Sequence, residues 1–450
     1  MTISGTLFVV AFALGMLLAL LKDPIYGLFV YVAEFYLHPA SRWWGAYLPE
    51  WRWSFIAAAI TLAAMWLRLP RESSRQSWYA TTPAKIMMLF TGWFALGYLW
   101  ALAPERHAPV IFMLGKYVLV FAMVYRLINT PERRTAFLLA HVTGCLDLGI
   151  LAHGADVQGR LDGVGGPGID DSNTLGMHLA TGVICASVLL LAVRAWRYVL
   201  CLVAIAFSLN AIVLTSSRGA FLALLAGGLI LFYLRPRQYL RTFYAYALLG
   251  LLLFGYVASS FFWTRVGTIV ASEQQRDTSA QSRVAMAEAQ LRMFVRYPFG
   301  SGQRGSEIMS PVYLQKQFLT SEGARSSHNA LLTVLVEQGI PGVMLALCLI
   351  EWTRRAIVSE KRRLPSSGDP LRTVHVAACS GALGAVIVGG QFADFSKCEV
   401  QFWMLAMLAS LQSMAPASAA EGQEILPGTA SRGWGTVATR LPGTVREVNL

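Results

Sequence analysis

Residues 197–234 read RYVLCLVAIAFSLNAIVLTSSRGAFLALLAGGLILFYL. Two apolar runs, 197–214 and 219–234, flank Thr215-Ser216-Ser217-Arg218, and Arg197 and Arg218 are the only charged residues in the stretch. Runs this long and this free of charge suit helices in a bilayer, whose hydrocarbon core of about 30 Å takes roughly 20 residues. A helix also satisfies its own backbone hydrogen bonds, which lipid cannot do for it.

The same pattern extends in both directions. Further apolar runs lie at about 5–21, 24–37, 52–67, 83–103, 108–126, 135–153, 173–193, 241–263, 330–350, 373–391 and 399–414. The run at 24–37 is either a short span or a broken, re-entrant unit with the first, so the count is 12 or 13. Apolar residues make up 55% of the 450 and charged residues 14%, against about 25% charged in a soluble domain. Mean hydropathy is +0.51. Barrel strands would appear as short alternating segments, and the sequence has none. The expected fold is an all-α polytopic membrane protein. The N-terminus lacks the basic stretch of a cleavable signal, so its first run is expected to stay as a membrane segment.

The net charge of +12 does not point to nucleic acid. Arginine and lysine gather in alternate loops, around Arg68 to Arg75, Arg126 to Arg134, Arg194 and Arg197, Arg235 to Arg241, and 353–372. By the positive-inside rule these loops are cytoplasmic, and those near 38–51, 104–107, 154–172, 215–218, 264–329 and 392–398 face outward. Trp43, Trp44, Trp51 and Trp53 suit an outer interfacial belt, although Arg42 adds basic charge there. The six cysteines are scattered, mostly within apolar runs, and their spacing supports neither a disulfide framework nor a zinc site. The tail 415–450 is rich in Ala, Ser, Gly and Pro and is expected to be a disordered cytoplasmic extension.

The one long polar loop is 264–329. Within it, Val284, Ala287, Leu291 and Phe294 fall at helical spacing, which predicts an amphipathic helix on the membrane surface or over a cavity. Pro298 ends that helix, and Phe299 to Gly305 read as a flexible turn.

Arginines outnumber carboxylates in this loop, so its expected ligand is an anion. Arg218 at the outer edge of two helices suits bidentate grip on a phosphate, or else simple snorkelling at the interface. Arg283 opens the amphipathic helix, with Arg265 and Arg276 before it; each is either a ligand contact or a solvated charge. His328 in Ser326-Ser327-His328-Asn329 is either a base for a hydroxyl or part of a helix start capped by its neighbours. Lys116 lies inside the fifth run, where an ammonium group is costly; it has either a functional role or an ion-pair partner such as Glu337. Asp170 and Asp171 precede the seventh run as helix caps, a general base, or partners that orient an arginine.

Together these motifs resemble the O-antigen ligase and O-antigen polymerase family of bacterial inner membranes. The likeness rests on Ser216-Ser217-Arg218-Gly219-Ala220, His328-Asn329-Ala330-Leu331-Leu332, Glu337-Gln338-Gly339-Ile340-Pro341-Gly342, Asp170-Asp171-Ser172-Asn173 and Phe299-Gly300-Ser301-Gly302. It covers roughly residues 80–350, with a weaker N-terminal likeness to O-glycosylation ligases linked to exosortase systems. The resemblance implies a GT-C-like glycosyltransferase domain over 1–414, with its active site facing the periplasm. It implies an undecaprenyl-diphosphate-linked glycan as donor and a lipid A–core sugar as acceptor, with no cofactor or metal. Its catalytic residues fall on Arg218, Arg283 and His328. Lys116, Arg265, Asn329 and Asp171 are further candidates for binding diphosphate or sugar. A polymerase and a protein O-oligosaccharyltransferase are alternatives on the same fold, and a lipid or sugar transporter is the alternative of another class.

Overall fold

The computed structural model describes residues 2–68, 76–155, 160–235, 239–258, 263–264, 267, 278–321, 323–366, 369–393 and 398–414. The expected tail and Arg265 lie outside them. Each apolar run forms a helix: α1 (Ile3–Leu21), α2 (Ile25–Leu37), α3 (Trp53–Arg68), α4 (Thr82–Leu96), α5 (Pro104–Leu127), α6 (Pro131–Gly154), α7 (Ser172–Leu189), α8 (Trp196–Thr215), α9 (Arg218–Leu234) and α10 (Leu240–Val257). The long loop adds α11 (Thr278–Arg296) and α12 (Gly305–Tyr313), and α13 (Ala330–Arg363), α14 (Pro370–Gly389) and α15 (Val400–Gln412) follow. Among the described residues there is no strand.

Seven of these helices, α1, α5, α6, α7, α8, α13 and α14, are long and apolar enough to cross a membrane. The remaining apolar runs form shorter helices. At 1.5 Å per residue, the 13 residues of α2 or α15 reach about 20 Å, short of the hydrocarbon core. The short α2 fits the broken or re-entrant unit that the sequence suggested for the 24–37 run.

At the centre, α7 and α14 are buried along almost their whole length and pack with α6, α8 and α9. Small residues set the spacing. A Cβ on Gly227 of α9 would lie 2.0 Å from Ile184 of α7 and 2.9 Å from the Gly381 carbonyl of α14, so these helices approach as closely as backbone permits. The outer faces remain apolar. Ile3, Leu7, Val10, Leu14 and Leu17 form an exposed stripe on α1, as expected of a helix against lipid. Only Trp43 and Trp51 of the expected aromatic belt are exposed. Trp44 and Trp53 turn inward onto Phe8, whose ring centroid lies 5.4 and 5.3 Å away.

One break in α13 fixes the long loop. Pro341 has no N–H for the Glu337 carbonyl, and Gly339 leaves the helix at φ 64°. Ile340 N donates instead to Pro298 O at 2.9 Å, which also frees the Val336 carbonyl. Ser301 N and Gly302 N fill the two vacancies, donating to Val336 O (2.9 Å) and Glu337 O (3.0 Å). The turn that the sequence suggested was flexible is thus pinned to the bundle. It also reaches α5: Leu102 N donates to Ser301 O, and Gln303 N donates to His107 Nδ1 at 2.9 Å. His107 Nε2–H donates to Phe94 O at 2.7 Å, which fixes a neutral tautomer.

A side chain at 339 would break this junction, because its Cβ would sit 2.3 Å from Pro298 O. Gly339→Ala is expected to cost about 1–3 kcal/mol, lowering Tm in detergent and speeding tryptic cleavage at Arg304. Unchanged Tm and cleavage would contradict the pinning.

Candidate functional site

The α8–α9 corner is built by short polar side chains. Ser216 closes α8 in the left-handed region at φ 49°. Ser217 caps α9, accepting from Ala220 N at 3.2 Å, and donates to Asn173 Oδ1 at 2.9 Å. Arg160 holds both sides of this junction, donating to Asn173 Oδ1 (3.0 Å) and Thr215 O (3.0 Å). Asp171 caps α7 through Asn173 N (2.8 Å) and Thr174 N (3.2 Å). The N-termini of α7 and α9 therefore start side by side. Arg218, half-buried, is the first residue of α9.

The second motif opens α13. Asn329 caps it, accepting from Leu332 N at 3.0 Å, and donates through Nδ2 to Gln391 O at 3.4 Å. Ala330 N donates to Gly390 O at 2.7 Å. Just beyond, Phe392 packs on Gly219, where a Cβ would lie 2.7 Å from the Phe392 Cβ. The end of α14 thus touches both motifs and brings Arg218 and His328 to the same end of the bundle. Three helix N-termini, those of α7, α9 and α13, gather there, and each carries partial positive charge. His328 is half-buried at φ 54°.

Arg283 lies on α11, half-buried. Two turns later on that helix, Gln290 accepts from Ser327 Oγ at 2.9 Å, so α11 is latched to the residue before His328. The buried face of α11 is Ser282, Met286, Ala289, Gln290 and Met293. Val284 and Leu291, part of the apolar face read from the sequence, are both 52% exposed. The methionines fill the space against α12 and α13, because an unbranched side chain adapts to an irregular surface.

A polar cavity of about 570 Å³ opens beside these motifs. Ser326 and Ser327 line it, with Arg106, Arg304, Asp170, Glu307 and Glu337. Arg304 pairs with Glu307 at 2.8 Å, and Ser306 Oγ donates to Glu337 Oε1 at 3.2 Å. Gln303, Thr333 and Glu337 also border an apolar cavity of about 180 Å³ among α4, α5, α13, α14 and α15. Across Gly168, on the other side, lies a third cavity of about 170 Å³ lined by Glu34, His38, Lys116 and Glu399.

Lys116 belongs to that third cavity, and its ion-pair partner is Glu399 at 2.9 Å rather than Glu337. Tyr31 and Trp403 also donate to Glu399. Two residues in this region escaped the sequence reading. Glu399 stands only as the first residue of the 399–414 run, and His38 is hidden in Leu37-His38-Pro39 at the close of a short run. His38 takes a left-handed φ of 30° and lines the cavity. Burial, and next the Arg42 guanidinium, hold its pKa below the usual histidine value, with Asp170 opposing. It is therefore neutral near pH 7.

Residues 201–347 match the family model described as O-antigen ligase. The matched stretch runs from α8 into α13 and contains Arg218, Arg283 and His328, which bears out the resemblance read from the motifs. No curated protein matches the chain significantly.

The lowered pKa of His38 has a consequence for acid stability. A depressed histidine binds protons more readily when unfolded, so its contribution is full above about pH 6.5 and is lost as pH falls through the folded value. Tm in detergent is expected to fall as pH drops from about 7 to 5, and His38→Gln to flatten part of that fall. An identical slope in the variant would remove His38 from the explanation.

Proposed function

We propose that this chain, a polytopic membrane protein of the O-antigen ligase and polymerase family, is a ligase. It moves a glycan from undecaprenyl diphosphate to a lipid A–core hydroxyl on the periplasmic face of the inner membrane. The observation that best supports this reading is the meeting of both matched motifs at the end of α14, beside a polar cavity that borders an apolar one.

In this reading the polyprenyl tail lies along the apolar cavity and adjoining lipid. The diphosphate meets Arg218 and Arg283, with Arg265 as a further contact. During transfer the bond from the anomeric carbon to the phosphate oxygen breaks, and its electron pair stays on the diphosphate. Guanidinium groups already in place stabilise that growing charge more than they stabilise the bound donor. Helix N-termini add to the effect without reorganising. They take the part that a divalent cation plays in other transferases. His328 accepts the proton of the attacking hydroxyl, a contribution of roughly two to four orders of magnitude in rate. Direct displacement inverts the anomeric centre.

Asn329 and Asp171 act in this scheme by holding helix starts, since their side chains cap α13 and α7. Lys116, with Glu399, suits sugar hydroxyls better than diphosphate, because its charge is already matched.

Arg218→Ala, Arg283→Ala and His328→Ala are each expected to cut transfer in detergent by at least about 100-fold at equal expression. Turnover should not depend on added magnesium or manganese. Near-normal rates in all three variants would remove the mechanism. Supplying purified lipid A–core, a second lipid-linked repeat and a periplasmic protein in parallel separates ligase from polymerase and protein glycosylation; product on either of the last two alone would overturn the assignment of the acceptor.

A further inference from the structure

Within the bundle, away from the motifs above, α2, α6 and α7 bring four ligand-type side chains to one point. His141 and Cys145 stand four residues apart on the same face of α6, and His178 faces them from α7. One ligand atom from each of the three lies within 4.8 Å of the others, and all three residues are fully buried. The Tyr36 hydroxyl of α2 sits among them. It is 2.5 Å from His141 Nδ1, 3.0 Å from His178 Nε2 and 3.9 Å from Cys145 Sγ.

The second nitrogen of each ring is also held. Thr181 Oγ1 donates its only proton to His178 O at 2.6 Å, so its contact with His141 Nε2, at 3.1 Å, requires Nε2 to carry the hydrogen. The lone pair of His141 is then on Nδ1, aimed at the centre. Cys398 Sγ lies 3.6 Å from His178 Nδ1, leaving Nε2 directed to the same centre. An inner set of donors, with each histidine oriented from behind by an outer partner, is the arrangement that metal sites use to fix tautomer and ring angle.

We propose that Tyr36, His141, Cys145 and His178 form a closed four-coordinate site for a divalent zinc-type ion. Two imidazoles, one thiolate and one oxygen are a borderline set of donors of the kind zinc takes in tetrahedral geometry, which the site reaches once the Tyr36 hydroxyl, hydrogen-bonded here to both imidazoles, draws back from His141 Nδ1. Charge supports this assignment. Binding releases two protons, one from Cys145 Sγ and one from the Tyr36 hydroxyl, and thiolate plus phenolate neutralise the 2+ ion. The filled site is uncharged overall, which removes most of the penalty of burying an ion at this depth. With no open position, its role is structural: it staples α2 to the α6–α7 core. Sequence spacing concealed the set because its members are spread from position 36 to 178.

The test uses the full chain, purified in detergent without chelator and without a polyhistidine tag. Elemental analysis is expected to find about one zinc per chain, lost in Cys145→Ser and in His178→Gln. Because those variants can fold poorly, wild-type protein is also stripped with a chelator and titrated with Zn²⁺ and Co²⁺. Zinc is expected to raise Tm by several degrees. Cobalt is expected to give a near-ultraviolet thiolate charge-transfer band and the visible bands of a tetrahedral ion. Metal-free wild-type protein whose Tm and spectrum ignore both ions would overturn the site and leave a hydrogen-bonded polar knot. Full zinc retention by both variants would place the ion elsewhere, and copper found in place of zinc would overturn the assignment of zinc.

Discussion

Pro341 has no hydrogen to give, so the Glu337 carbonyl must find its donor outside α13. Inside a membrane protein that demand is strict, because an unpaired backbone group has no water to turn to. The break at Gly339 exposes a second carbonyl, at Val336, and the Ser301–Gly302 backbone takes both. This exchange attaches the long polar loop to the bundle. From it follow the position of α11, the latch from Gln290 to Ser327, and the wall of the polar cavity.

The same economy of backbone groups shapes the electrostatics of that end. α7, α9 and α13 all begin there, each capped by a short polar side chain: Asp171, Ser217 and Asn329. Capping satisfies part of each first turn, and the remaining N–H groups still favour an anion. Arg218 and the arginine-bearing α11 add full charges to this field. Carboxylates on the cavity wall are partly spoken for, Glu307 by Arg304 and Glu337 by Ser306. A diphosphate meeting such a wall would find donors already oriented, which is where electrostatic catalysis gains over water.

Local patterning made much of this legible. Apolar runs mark every bundle helix, and Pro298 marks the end of α11. The serines and asparagine beside His328 read as caps. What stayed hidden depends on contacts between distant segments. Helical spacing picked out Val284, Ala287, Leu291 and Phe294 on α11, whereas the loop's packing buries Met286 and Met293 and leaves Val284 and Leu291 exposed. The partner of Lys116 is 283 positions away at Glu399, and no periodicity points to it. Trp44 and Trp53 resemble interfacial anchors until α1 supplies Phe8 as a partner. His38 and the Tyr36 cluster share this limit: each is a single residue in an apolar setting until another helix arrives.

The central claim is that Arg218 and Arg283 grip one diphosphate, and a double-mutant cycle on binding tests it most directly. Affinity for a short-chain polyprenyl diphosphate is measured by calorimetry for wild type, Arg218→Ala, Arg283→Ala and the double variant. The account predicts that each single change weakens binding at least about tenfold and that the double change is less than additive, as for two groups on a shared ligand. Affinities that match wild type throughout, or strictly additive losses, would contradict a shared grip.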